Sequence, residues 1–163
     1  MKKQLFFSFS FTAILLLNCQ KLSVLTTTQN SDLIIKTGTS FGFCVGECVK
    51  ELTINSSQMS FVVQKREARG SNSNLEISRS CSNIFSADDW NKLSQLIDYQ
   101  AFSKIDERIG CPDCADGGAE FVEIQNGNLN HRVTFEFGKD VKEFPELLKI
   151  LREKRTAFDA SCK

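Results

Sequence analysis

The sequence predicts an α+β fold, in which an antiparallel sheet built from two hairpins, in the order β-β-α-β-β-α, carries two helices on one face. Runs of alternating apolar and polar residues occur in pairs separated by turn residues, as in hairpins. Two other segments carry apolar residues at helical spacing, and such helices need a sheet face to cover. The 163 residues suggest a single domain, and the 41% apolar content is typical of a globular chain.

The first hairpin is predicted from two β-rich runs, residues 49–54 and 59–64, which polar turn residues separate. Residues 33–35 are expected to form a strand before it, and residues 75–78 an optional further strand. The second hairpin is predicted over residues 120–137, where alternation is strongest. Its reversal falls at Asn126-Gly127, because glycine tolerates the positive φ of a tight turn. The connecting loop, residues 126–130, is expected to be longer than two residues.

Two helices are predicted from capping and spacing signals. Ser86 can cap the backbone N–H of Asp89, and the apolar face that follows consists of Trp90, Leu93, Leu96 and Ile97. The second helix is predicted over about residues 141–155. Pro145 is tolerated only in a first turn, which places the true start nearer Phe144.

Residues 1–18 are predicted to be a lipoprotein signal peptide. Lys2 and Lys3 precede an apolar run, residues 5–17, which is shorter than the roughly 20 residues that span a bilayer. The sequence Leu16-Leu17-Asn18-Cys19 resembles a lipobox, although Asn18 stands where the family prefers a small residue. The resemblance implies lipidation of Cys19 with a diacylglyceryl group and a further acyl chain such as palmitate.

The resemblance also implies a location in the cell. Gln20 is not the Asp that commonly retains lipoproteins at the inner membrane, so we expect a lipid anchor in the outer membrane, facing the periplasm or the surface. Residues 19–32 are predicted to form a flexible tether, and residues 33–163 a single domain. Without Lys2 and Lys3, 18 basic and 20 acidic residues remain, a net charge of −2. This balance does not favour nucleic-acid binding.

Six cysteines follow Cys19, and an even number in an exported chain favours disulfides. They are Cys44, Cys48, Cys81, Cys111, Cys114 and Cys162. Six cysteines allow fifteen complete pairings, and the sequence does not choose among them. Two close pairs stand out, with the spacings C-x3-C at Cys44 and C-x2-C at Cys111.

Four interpretations of these cysteines stay open. Structural disulfides, worth about 2–4 kcal/mol each, are favoured. The two close pairs also fit a four-thiolate zinc site. In the third interpretation, Cys111 and Cys114 exchange disulfides with other proteins. Redox motifs of this spacing usually open a helix, whereas this one leads into a strand. The fourth interpretation is free, buried thiols.

Residues 40–48, SFGFCVGEC, followed by Leu52-Thr53-Ile54, resemble the opening of an uncharacterised bacterial domain family. Its signature, C-x-G-x-C then Pro, precedes a strand, and its members are often predicted lipoproteins. Val49 stands where that family usually has Pro. The stretch 110–120 also resembles a motif of related bacterial proteins. The resemblance covers about residues 33–155 and implies no activity.

Other chemistry is sparse. Asp113, Asp116 and Glu120 concentrate oxygen ligands in one loop, but their spacing does not match an EF-hand and favours a solvated turn. His131 is the only histidine and lies in a predicted strand, without a nucleophile beside it. We therefore expect a non-enzymatic, disulfide-stabilised binding domain without a cofactor. Its expected partners are membrane lipid through Cys19 and a protein in the envelope or outside the cell. The alternative is a cysteine-based zinc or thiol-redox protein.

Overall fold

A computed structural model describes residues 32–68 and 74–163 of the chain. These ranges form an α+β fold with one seven-stranded sheet and three α-helices. The strands are β1 (Leu33–Ser40), β2 (Gly46–Ile54), β3 (Gln58–Arg66), β4 (Glu76–Ile84), β5 (Arg108–Ile109), β6 (Ala119–Asn126) and β7 (Leu129–Glu136). The helices are α1 (Ala87–Ser94), α2 (Tyr99–Phe102) and α3 (Pro145–Ser161), with a 3₁₀ turn at Cys114–Asp116.

The strand order is β4-β3-β2-β1-β6-β7-β5. β1 joins the two predicted hairpins, because it pairs antiparallel with both β2 and β6 and places Ile35 opposite Ile54 and Ile124. β5 runs parallel to β7, so the sheet is mixed. The α+β class is confirmed, but the predicted order of two hairpins and two helices does not match the seven strands and three helices exactly.

The predicted strands at β1 and β4 were shorter than the observed ones, because neither strand has an apolar pattern along its whole length. In β1, Thr37 and Thr39 are buried on the helix-covered face, where apolar residues were expected. β4 is an edge strand with largely exposed, polar residues. Its position depends on pairing with β3 rather than on burial of its own side chains.

One core lies between the sheet and the helices, which confirms that the helices cover one face. Its fully buried members include Ile35, Leu52, Phe61, Trp90 and Leu151. The core as a whole comes from β1, from both predicted hairpins, where Ile124 and Val133 represent the second, and from α1 and α3. Such burial of large apolar side chains supplies most of the folding free energy, at about 1.5–3 kcal/mol each.

The helix caps follow the sequence signals, while two helix boundaries differ from those predicted. Ser86 Oγ accepts a hydrogen bond from the N–H of Asp89 at 3.1 Å, as expected. α1 ends at Ser94, so Leu96 and Ile97 lie beyond it instead of completing its apolar face. Pro145 occupies the first turn of α3, and this helix continues to Ser161.

The β6–β7 hairpin is tighter than expected. Asn126 pairs directly with Leu129, so the loop is the two residues Gly127 and Asn128 rather than residues 126–130. Gly127 has a φ of 59°, which glycine adopts at little cost. The sequence signal Asn-Gly therefore marked the turn correctly, and only its length was wrong.

Candidate functional site at the disulfide end of the sheet

Two cysteine-bearing segments, residues 41–48 and 110–118, meet at one end of the sheet. We call these residues, with residues 137–138, the disulfide end. The segments meet because the last residues of β1 lie between the start of β2 and the start of β6. The N–H of Gly42 donates to both carboxylate oxygens of Asp113, at 3.2 and 3.0 Å. This contact joins two segments that are 71 positions apart in the chain.

The six described cysteines form three disulfides. They are Cys44–Cys48, Cys111–Cys114 and Cys81–Cys162, with Cα–Cα distances of 5.6, 5.5 and 5.8 Å. The first two join residues four and three positions apart, while the third spans 81 positions. In the chain-entropy model, a loop of about 80 residues contributes about 4.5 kcal/mol to stability, and loops of four or five residues about 2 kcal/mol each. The two short disulfides therefore act more on local shape than the long one does.

The backbone of the second segment lies in a conformation that most residues avoid. Asp113, Ala115 and Asp116 have positive φ values of 62°, 51° and 60°. Each such residue costs on the order of 1–3 kcal/mol unless its surroundings hold it there. The disulfide supplies one constraint, and the N–H of Asp113 supplies another by donating to the carbonyl of Gly118 at 3.0 Å. The segment is thus held in one shape by several independent contacts.

Large apolar side chains are exposed at the disulfide end. Phe43, Val45 and Phe137 are 53%, 54% and 47% exposed. Phe41 meets the edge of the Phe137 ring with 5.0 Å between ring centroids. The Phe41 ring also lies against Gly118, where a Cβ would come within 2.3 Å of it. Glycine is therefore required there for the two segments to pack together.

A buried carboxylate fixes the base of the second segment. Glu120, at the start of β6, is fully buried between Arg152 and Arg155 of α3. Arg152 contacts both of its carboxylate oxygens at 2.8–3.1 Å, and Arg155 also donates to the hydroxyl of Thr37. Burial alone would raise the pKa of Glu120, but hydrogen bonds from the two arginines outweigh it and hold the pKa below its ordinary value. This cluster locks β6 to α3.

A second ion cluster holds the first segment. Arg79 of β4 binds both carboxylate oxygens of Glu47 at 3.0 Å, and it also contacts Asp159 of α3. Lys50 donates to Asp159 at 2.6 Å. The hydrogen bond from Arg79 is the main reason that the pKa of Glu47 is lowered. For Asp159, burial would raise the pKa, but hydrogen bonds from Lys50 and Arg79 lower it. Both cysteine segments are therefore connected to α3.

The structure separates the oxygen ligands that the sequence placed in one loop. Asp113 is engaged by Gly42, Glu120 by the two arginines, and Asp116 is exposed. Across residues 32–68 and 74–163, no group of three or more Cys, His, Asp or Glu side chains is arranged to hold a metal ion. The close cysteine pairs form disulfides, and oxidised sulfurs do not serve as thiolate ligands.

His131 has a structural environment. Its Nε2 lies 2.8 Å from the carbonyl oxygen of Ile105, and its ring meets Phe102 edge to face, with centroids 5.6 Å apart. The predicted signal peptide and the predicted lipidation site Cys19 lie outside the described residues. In the described part of the chain, no helix is long and apolar enough to span a membrane.

No protein-family model matches the chain, and no curated protein matches its sequence. The resemblance of residues 40–48 to a bacterial domain family therefore stays a prediction. Sequence reasoning missed the contact between Gly42 and Asp113 and the exposed aromatic cluster. The available signal was the pair of phenylalanines, Phe41 and Phe43, in the short turn just before Cys44.

Proposed function

We propose that this chain is a bacterial lipoprotein, anchored in the outer membrane by lipid on Cys19, whose domain binds a partner protein through the disulfide end. The proposed role is binding rather than catalysis. The observation that carries it is the exposure of Phe43, Val45 and Phe137 at the disulfide end, where two disulfides and the hydrogen bond between Gly42 and Asp113 constrain the two cysteine segments.

The direction of the tether supports this orientation. The chain enters the sheet at Leu33, the first residue of β1, whereas the disulfide end follows Ser40, the last residue of that strand. Seven residue steps at about 3.3 Å each separate the two ends by roughly 23 Å. Residues 19–32 reach up to roughly 45 Å when extended. A tether from Cys19 therefore joins the domain at the end of β1 opposite the disulfide end, and its length lets the disulfide end extend away from the lipid.

The surface has the chemistry of a contact site for protein. Aromatic side chains dominate binding energy at interfaces, and rigid segments lose little entropy when they bind. Surface patches of apolar residues are uncommon on monomeric proteins and mark interaction sites when they are contiguous. The matching partner is a protein with an apolar recess that accepts Phe43 and Phe137.

Site-specific photocrosslinking in living cells tests the binding surface. A photoreactive phenylalanine analogue at position 43 or 45 is expected to give one discrete protein adduct. The same analogue at Asn128, an exposed residue in the β6–β7 turn at the opposite end, serves as the matched control. The proposal is contradicted if the same adducts form from all three positions, or if none forms from position 43 or 45.

Detergent phase partitioning tests the anchor separately. The native chain is expected to enter the detergent phase, because several acyl chains anchor a protein stably, and Cys19→Ser is expected to move to the aqueous phase, because it lacks the sulfur that carries them. Cys111→Ser/Cys114→Ser is the control, since it removes two sulfurs without touching the anchor. Unchanged partitioning of Cys19→Ser would show that lipid is not attached there.

A second candidate function is a cysteine-based metal or thiol-redox protein. It is favoured by the hydrogen bond between Gly42 and Asp113, which brings together the two segments that carry the close pairs. Four thiolates would be available at one end of the sheet after reduction. Elemental analysis and thiol counting on native protein distinguish the two functions. Bound zinc with four protected thiols supports the second, and no metal with no free thiols removes it.

A further inference from the structure

An apolar pocket of about 290 Å³ opens between α2 and the start of α3. Its floor is Ile124 of β6, which is fully buried, and its walls include Phe102 of α2 with Phe144 and Leu147 beside or within α3. Eight of its ten lining residues are apolar. Pockets of this kind, largely apolar with a few polar groups at the edge, are typical of small-molecule sites.

The only polar lining residues are two carboxylates, Asp98 and Glu143, and both are exposed. Asp98 accepts a hydrogen bond from the N–H of Ala101 at 3.1 Å and so caps α2. Two negative charges at the rim oppose an anionic ligand, because like charges at short range repel. This disfavours the carboxylate of a free fatty acid as a head group, and the eight apolar lining residues suit an uncharged chain.

The pocket volume limits the length of the ligand. An engineered apolar cavity of about 150 Å³ holds benzene, so a pocket about twice as large holds roughly ten to twelve carbon atoms. That is part of one acyl chain and too little for the three chains of a mature lipoprotein anchor. The pocket therefore has room for part of a single acyl chain but not for the whole lipid anchor.

The position of the pocket brings it close to the tether. Ile124 lies opposite Ile35, two residues inside Leu33, where the chain enters the sheet. Two residues along a strand measure roughly 7 Å. Leu96, which lines the pocket, is 41% exposed. With the proposed anchor at Cys19, this end of the domain is the one nearest the bilayer.

We propose that this pocket binds one neutral acyl chain of a membrane lipid. The proposal rests on the proposed lipid anchor for access to the bilayer, but the affinity of the pocket for the chain does not depend on it. An acyl chain held there seats the end of the domain that carries Leu33 on the membrane surface. The disulfide end then points outward.

A titration of the full-length Cys19→Ser chain tests the affinity without its own lipid. With 1-monolauroylglycerol as the probe, calorimetry is expected to show saturable binding of one molecule per chain. Dodecanoate, which has the same tail and a negative head, is expected to bind at least tenfold more weakly. The proposal is overturned if the neutral probe does not bind, or if dodecanoate binds as tightly.

Variants at Ala101, an exposed residue in the pocket lining, locate the binding. Ala101→Trp and Ala101→Glu are expected to weaken binding of 1-monolauroylglycerol at least tenfold, the first by filling the pocket and the second by adding charge. Ala157→Trp, on an exposed position of α3 outside the pocket, is the matched control and keeps the original affinity. Unchanged binding in both Ala101 variants, with urea midpoints like that of the parent chain, would overturn the assignment.

Photocrosslinking from position 101 in cells identifies the molecule that supplies the bound acyl chain. A membrane glycerolipid bound to the photoreactive residue supports the proposal. An adduct with the chain's own amino-terminal peptide would show that its own anchor fills the pocket and would overturn the membrane-lipid source. The titration uses Cys19→Ser, which carries no lipid at position 19, so it tests the pocket alone. Detergent partitioning tests the anchor alone, and the two proposals can therefore fail separately.

Discussion

Removal of the Cys81–Cys162 disulfide is expected to destabilise the domain far more than removal of Cys111–Cys114. The first joins β4 to the residue after α3 across 81 positions, and the second joins residues three positions apart. Loop-closure entropy gives about 4.5 kcal/mol for the long loop and about 2 kcal/mol for the short one. The difference of about 2.5 kcal/mol corresponds to roughly a 70-fold change in the folding equilibrium.

Urea unfolding under non-reducing conditions measures this difference. The variants are Cys81→Ala/Cys162→Ala and Cys111→Ala/Cys114→Ala, both in the Cys19→Ser chain. Alanine is used because Cys162 is buried, and serine there would add a buried hydroxyl. Equal losses of unfolding free energy, or a larger loss for the short disulfide, would refute the reasoning. Because the long disulfide acts on the unfolded chain, its removal is also expected to raise the slope against urea concentration more than removal of the short one does.

Three further outcomes follow from the buried contacts. Glu120→Gln is expected to lower the unfolding free energy by about 3 kcal/mol, because two largely buried arginines lose their carboxylate. Glu67→Gln, at an exposed ion pair, is the control and keeps the urea midpoint, and equal midpoints in both variants would contradict this. The lowered pKa of Glu120 stabilises the fold above the unfolded pKa of about 4.3, and this stability is lost as pH falls through the folded pKa. Acid titration of stability should therefore be shallower in Glu120→Gln, and an unchanged profile would rule out this linkage. Gly38→Ala is expected to cost about 1–3 kcal/mol, since its Cβ would lie 2.6 Å from the Phe121 ring and 2.4 Å from the Lys50 carbonyl oxygen, which cannot move without its strand. An unchanged melting midpoint would contradict this expectation.

The elements that the sequence predicted well are those set by local pattern. The β6–β7 hairpin follows from alternation around Asn126-Gly127, and the start of α1 follows from the hydroxyl of Ser86. In each case, residues a few positions apart determine the structure. The start of α3 at Pro145 belongs to the same group, because the ring of proline excludes other positions.

The strands that the sequence predicted too short, β1 and β4, depend on pairing more than on their own residue pattern. The second half of β1 contains Gly38, which a strand pattern disfavours, and the structure places the Phe121 ring of β6 against it. β4 is polar and is held at the sheet edge by its pairing with β3. β1 and β6 are far apart in the sequence, so no short window contains both, whereas β4 follows β3 directly and was under-predicted because its residues are polar.

The same distinction applies to the candidate site. The two short disulfides follow the two close spacings that the sequence displayed. The third, Cys81–Cys162, depends on where α3 ends over β4, which sequence spacing does not specify. The hydrogen bond between Gly42 and Asp113 likewise needs the complete sheet, because the insertion of β1 between β2 and β6 brings their segments together.

Intact mass of the native protein, recorded before and after reduction, tests the anchored, disulfide-braced domain most directly. We expect a chain that begins at Cys19, carries the mass of a diacylglyceryl group and a further acyl chain, and gains six hydrogens when its three disulfides are reduced. An unmodified chain that retains residues 1–18, or a mass that reduction leaves unchanged, would contradict it.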